Sequence, residues 1–267
     1  ESGPAVLTVD LLAEQFRVLA TGVAQREERS YVIQIAGVRG GEGASYVAAN
    51  LAATLAVGGW GTALVDADLN QGVVHRIFHL HQRPGTKQLL GGDQLATTIQ
   101  RSDKVGDLAI LTTGAPSGGS VSVHGTGLHV AVERLGAHFD IVLLDSPPIL
   151  SSGDAAVLAH HADKTVLVAQ ADRTTRDDVA AAVLALRSAG GNLTGIVLTD
   201  DVLLSSLAGR LRARTLDRRH GGHRGSVCRV SPPTSSMMLR ASRRTQPSTE
   251  GQRWSWSSLG SAPKSGR

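Results

Sequence analysis

The chain has 267 residues, of which 41% are hydrophobic and only 3% aromatic, with 31 glycines and a single cysteine, Cys228. One cysteine excludes an internal disulfide framework and fits a reducing compartment. No apolar run reaches the roughly 18 residues of a membrane span, and no signal-peptide pattern is present. The formal net charge of +4 averages two unlike parts. Glu1 to Asp201 holds 14 Lys+Arg against 21 Asp+Glu, a net of −7, and Val202 to Arg267 holds 13 against 2, a net of +11.

The first periodic stretch, residues 8–25, places Leu12, Phe16, Leu19 and Val23 on one helical stripe. The apolar run 31–36 then leads into "GVRGGEGASYVAANLA", residues 37–52, and a helical run over 45–57. A strand, a glycine loop and a helix N-terminus in that order form a phosphate cradle. Its glycines allow positive φ, and its backbone N–H groups point at an anion. Arg39, Gly40, Gly41, Glu42, Gly43, Ala44, Ser45 and Tyr46 are therefore the candidate nucleotide-binding residues. Ser45 stands where a hydroxyl ligates Mg²⁺, and Ala44 stands where such a loop carries lysine. Arg39, in the same loop, is a candidate replacement for that cation.

Short apolar strands follow at 62–66, 108–112, 141–145, 165–169 and 194–199, with helical runs at 126–136, 153–161 and 176–189. Residues 83–107 are the least regular. The alternation predicts an α/β fold, a doubly wound, mostly parallel sheet of P-loop NTPase type flanked by helices. Ligands in such a sheet lie beyond the strand C-termini. "LVDADLNQG" ends the second strand with Asp66 and Asp68. Two residues apart on a strand, they share a face and are candidate catalytic carboxylates. "IVLLDSPPIL" ends a later strand with Asp145, which with Ser45 and Asp68 makes the candidate metal set for ATP and Mg²⁺. His75, His79 and His81 have a spacing, H-x3-H-x-H, open to a metal reading, which is the less favoured one. His160 and His161 end a helix, where a cation suits the dipole.

These stretches resemble the cytoplasmic kinase domain of bacterial protein-tyrosine kinases that work with polysaccharide co-polymerases in capsule and exopolysaccharide synthesis. The resemblance runs from about Leu11 to Thr199, through "GGEGASYVAANLA", "LVDADLNQGVVHRIFHL" and "FDIVLLDSPPIL" with the residues after it. It implies an ATP·Mg²⁺ site, a membrane-embedded co-polymerase as partner, and a place in the cytoplasm at the inner face of the membrane. "EQFRVLA" resembles the family's ring-forming helix and implies self-association through Glu14 and Arg17. The departures are specific. The family lysine is Ala44, the following Thr is Tyr46, the second ring arginine is Ala20, and the arginine-rich piece is Asn70-Gln71-Gly72. The family phosphorylates a C-terminal tyrosine cluster, whereas this sequence has only Tyr31 and Tyr46.

The expectation is a kinase-like domain over residues 1–205 and a basic, low-complexity, disordered tail over 206–267. The tail's charge has no aromatic interleaving or helical stripe, which argues against nucleic acid as its partner. The chain begins at Glu1 without Met, so an upstream anchor stays open. The domain reads as a degenerate regulator or scaffold. The alternatives are an active kinase or ATPase using Arg39, or a partition-type ATPase. Ala20 offers a neighbouring subunit no donor, and losing one partner of a buried carboxylate costs about 3–5 kcal/mol. Light scattering at micromolar concentration should therefore find a monomer or weak dimer. A stable ring that Arg17→Ala dissolves would show that one arginine suffices.

Overall fold

The computed structural model describes residues 10–24, 30–101, 105, 108–114, 123 and 126–200. The basic tail and the boundary at 205 lie outside the described residues. Helix α1 (Asp10–Val23) precedes strand β1 (Tyr31–Gly37), helix α2 (Ala44–Val57) and strand β2 (Thr62–Asp66). Three short helices follow, α3 (Val74–Phe78), α4 (Thr86–Leu90) and α5 (Leu95–Thr98). Next come β3 (Gln100–Arg101), β4 (Ala109–Leu111), α6 (Thr126–Gly136), β5 (Ile141–Ser146), α7 (Gly153–His161), β6 (Lys164–Gln170), α8 (Arg176–Ser188) and β7 (Leu193–Thr199). The seven strands lie in the order β3-β4-β2-β5-β1-β6-β7. Every pairing is parallel except the short edge pair β3–β4.

Each face of the sheet is covered, which is why the inner strands are apolar without alternation. Ile33, Ile35, Leu64, Leu143 and Val166 face α1 and α2, meeting Phe16, Val23, Val47 and Leu51. Val32, Val65, Leu111, Val142 and Leu144 face the opposite way, toward Leu128, Ala131 and Leu135 of α6. Helix α2 is buried along most of its length, from Val47 to Ala53 and again at Leu55. This matches its Ala-rich, nearly charge-free sequence.

The predicted strands all form. The irregular stretch 83–107 contains α4, α5 and β3, elements of four or five residues and two residues that are too short to show a period. Helix α3 is also too short to show a period, and it carries His75, where the family resemblance implies a helix. On α1, Arg17 is exposed. Ala20 is half-buried and packs against the α1–α2 core. The side chain of Glu14 lies outside the described ones. His160 and His161 do end α7, but His161 is not a settled cation. Burial, then His160 and His129, lower its pKa.

Candidate functional site

The glycine loop joins β1 to α2 at the C-terminal edge of the sheet. Gly40, Gly41 and Gly43 take φ of 117°, 84° and 86°, a left-handed region that strains any L side chain. Among the described residues, no protein acceptor takes the N–H groups of Gly43, Ala44 or Ser45. They are the unspent donors of a helix start and carry its partial positive charge.

Two other segments brace this loop. Ile149 N–H donates to Gly37 O at 2.9 Å, Leu150 N–H to Val38 O at 3.0 Å, and the Ser151 hydroxyl to Arg39 O at 2.9 Å. A Cβ on Gly40 would lie 3.2 Å from Pro148 Cγ. Pro148 therefore sets a donor-poor ring against the loop. The Thr199 hydroxyl, at the end of β7, donates to Glu42 O at 2.7 Å.

Not every loop residue faces a ligand. Glu42 is buried, and its carboxylate accepts from Arg39 N–H at 2.8 Å and Gly40 N–H at 2.6 Å. It therefore holds the loop's own backbone. Tyr46 gives its N–H to Gly43 O at 3.0 Å, and its ring joins the α1–α2 core. Arg39, the candidate replacement for the missing cation, is turned to a carboxylate outside the loop. Arg39 is 63% exposed, and its Nη2 reaches Asp178 Oδ1 at 2.6 Å, at the capping box that opens α8. That hydrogen bond, then the Thr175 hydroxyl, hold the Asp178 carboxyl down to about 2.

Behind the loop lie two buried carboxylates. Asp66 and Asp145 end neighbouring strands in direct register, at 0% and 1% exposure. Asp66 Oδ2 accepts from the Thr113 hydroxyl at 2.8 Å and from Val74 N–H at 3.1 Å. Asp66 Oδ1 and both oxygens of Asp145 have no well-formed hydrogen bond. Burial pushes Asp66 up to about 7. Burial and then the charge of Asp66 raise Asp145 well above the carboxylate range, although the nearby Ser45 hydroxyl favours its ionised form. Orphaned buried carboxylate oxygens are costly without a cation or proton. Together with Ser45 they fit the oxygen-rich coordination that Mg²⁺ takes.

Asp68 does not share a strand face with Asp66. β2 stops at Asp66, and Asp68 lies in the turn beyond, where its Oδ1 accepts from Asn70 and Gln71 N–H at 3.1 and 2.8 Å. A Cβ on Gly72 would overlap the Thr113 hydroxyl and both Asp66 oxygens, so the glycine lets the chain fold back onto Asp66. His75, His79 and His81 do not converge. Among the described residues, no three metal-capable side chains gather at one point.

A parallel sheet carrying a glycine loop, a helix N-terminus and strand-end aspartates defines a P-loop NTPase domain. The ParA family profile, described as NUBPL iron-transfer P-loop NTPase, matches residues 28–201. The chain belongs to this ParA-type P-loop NTPase family, as a domain of the bacterial tyrosine-kinase kind. It is 32% identical over 192 residues to the tyrosine-protein kinase YwqD of Bacillus subtilis, covering 70% of this chain and 81% of YwqD. It is 31% identical over 187 residues to the putative tyrosine-protein kinase EpsB of Ralstonia nicotianae, covering 69% of this chain and 25% of EpsB. It therefore spans about a quarter of the length of that relative. The solved kinase domain of Escherichia coli Etk superposes with a TM-score of 0.65 at 28% identity, covering 73% of this chain and 79% of that one. The MinD protein of Pyrococcus horikoshii, solved with Mg-ADP, shares the fold at a TM-score of 0.55 and 22% identity. Among the described residues, no helix is long and apolar enough to cross a membrane.

Proposed function

We propose that this domain is a nucleotide-responsive regulator or scaffold rather than an efficient kinase. It would dock at the inner face of the membrane on a polysaccharide co-polymerase and govern capsule or exopolysaccharide assembly. One observation carries the reading. The loop, Ser45 and the orphaned carboxylates of Asp66 and Asp145 are all in place, while Ala44 stands at the lysine position.

In this reading the N–H groups of Gly43, Ala44 and Ser45 hold the phosphates of ATP or ADP. Ser45, Asp68 and Asp145 would hold Mg²⁺. Bound Mg²⁺ would neutralise phosphate charge and satisfy the buried carboxylates. Asp66, fixed by Thr113 and Val74, opposes ionisation of Asp145 when no cation lies beside the pair. A lysine would stabilise charge that grows on the transferring phosphoryl group. Removing one such donor commonly costs about 10²–10³ in rate, whereas ground-state binding through backbone N–H groups survives. Neither tyrosine offers a ready acceptor, since Tyr31 is buried in β1 and Tyr46 is half-buried in α2.

The test is calorimetric titration of the full chain with Mg·ADP and Mg·ATP, beside a phosphotransfer assay on a tyrosine copolymer. Saturable binding without transfer above the buffer control is expected. Transfer that Asp145→Asn abolishes would replace this reading with the active-kinase one. Absence of any nucleotide binding would overturn both.

A further inference from the structure

The glycine loop is contacted by a cation from elsewhere in the chain. Arg173 lies 132 residues past Gly41 in sequence, in the turn between β6 and α8. A Cβ built on Gly41 would sit 2.9 Å from Arg173 Nη1 and 3.4 Å from Nη2. The guanidinium thus lies directly over the one loop position whose missing side chain makes room for it.

The turn holds Arg173 in place. Ala171 N–H donates to Thr199 O at 2.7 Å, and Thr174 N–H donates to Gln170 O at 2.9 Å. The Thr174 hydroxyl accepts from Gln170 N–H at 2.9 Å. Asp172 adopts a φ of 62°, which turns the chain sharply before Arg173. At its tip, Nη1 donates to Gln170 Oε1 at 3.2 Å. Gln170 is neutral and buried. Among the described residues, this is the one side-chain hydrogen bond Arg173 makes, and no carboxylate pairs with it. Arg39, by contrast, is neutralised by Asp178. Of the two arginines at the loop, only Arg173 keeps its charge available.

We propose that Arg173 takes over the phosphate-binding part of the lysine absent at Ala44, gripping the β- or γ-phosphate of a nucleoside di- or triphosphate seated in the glycine loop. The proposal rests on the nucleotide reading above. A guanidinium presents two parallel N–H donors to a phosphate, and such charge-assisted pairs are strong and directional. Because Arg173 approaches over Gly41 from outside the loop, it adds affinity without occupying the helix N-terminus.

The experiment measures dissociation constants of Mg·ADP, Mg·ATP and AMP for the full chain and for Arg173→Ala, Arg173→Lys and Arg187→Ala. Arg187→Ala removes the same charge from an exposed site at the far end of α8. Arg173→Ala should weaken ADP and ATP binding about 10- to 100-fold, leave AMP within about threefold, and leave the melting temperature unchanged. Arg173→Lys should fall between, and Arg187→Ala should match the unmutated protein. In an Ala44→Lys background the loss from Arg173→Ala should shrink, because two cations then serve one phosphate. Equal ADP and ATP affinities in Arg173→Ala and the unmutated chain would overturn the role of Arg173 alone. A loss shared equally by AMP, or by Arg187→Ala, would also overturn it. If the unmutated chain binds none of the nucleotides, the site reading fails and this inference fails with it.

Discussion

Asp145→Asn is expected to raise the melting temperature of the metal-free protein at pH 8 by about 4–8 °C and to abolish stabilisation by Mg²⁺. Asp66 and Asp145 face each other across two parallel strands, both buried, with three of their four oxygens unpaired. Each pKa unit of upward displacement is about 1.4 kcal/mol that the folded state loses once the group ionises. The sign follows from the direction of the shift. A carboxyl raised in the folded state, here to about 7 for Asp66, leaves stability intact below the unfolded value near 4. That stability is lost as the pH rises through the interval up to the folded value. The metal-free wild type should therefore melt lower at pH 8 than at pH 5.5. An asparagine at 145 removes one charge and brings an N–H donor opposite the orphaned Asp66 oxygen. A net gain of about 2 kcal/mol in a domain of this size gives the stated shift. Mg²⁺ should stabilise the wild type, by about 2.7 kcal/mol at a hundredfold excess over its dissociation constant, and more at pH 8 than at pH 5.5. Melting curves at both pH values, with and without Mg²⁺, check this. A variant that melts below the wild type at pH 8, or that Mg²⁺ stabilises equally, would show that Asp145 is structural.

The sheet was legible because each strand is an uninterrupted apolar run and each long helix is wide enough to show its stripe. Ile33, Ile35, Leu143 and Val166 could be assigned to a core without knowing their neighbours. The glycine loop was legible because positive φ restricts its residue types, and Asp145 because a charge at the end of a buried strand is conspicuous. What stayed hidden depends on pairing across long stretches of chain. Asp178 lies 139 residues from Arg39 and cancels its charge, and nothing local to "RDDV" marks it as a partner. Arg173 is one arginine in a polar turn, meaningful only because the sheet order sets β6 beside β1. Glu42 was read as a ligand-facing loop residue, but its carboxylate is folded inward onto Arg39 and Gly40. The Asp66–Asp68 inference failed because β2 ends at Asp66, two residues short of Asp68, and Gly72, read only as a departure from the family pattern, is where the chain comes closest to Asp66 without room for a side chain.

Ala44→Lys is expected to tighten Mg·ATP binding about 10- to 100-fold and Mg·ADP binding less, with AMP unaffected. Ala44 is the first residue of α2 and is half-buried, with its Cβ facing Gly37 at the end of β1. A lysine stem there runs along the loop and carries its ammonium toward the phosphates that the N–H groups hold. A charge-assisted hydrogen bond contributes about 1.5–3 kcal/mol, which is the stated range in affinity. Two effects work against the full gain. Without ligand, the ammonium is drawn to the Glu42 carboxylate, which lies within 2.8 Å of a Cβ built on Gly37. It is drawn as well to the buried Asp66–Asp145 pair, and nucleotide must displace it from either. The same attraction gives a readout independent of nucleotide. A positive charge near Asp66 favours its ionised form, so the variant should flatten the decline in melting temperature between pH 5.5 and pH 8. Phosphotransfer should remain below that of intact kinases, because the described tyrosines are not placed as acceptors. Equal ATP affinities for the variant and the wild type, with the variant folded, would show that Ala44 is not the defect. The cradle would then already hold its full complement of cationic partners through Arg173.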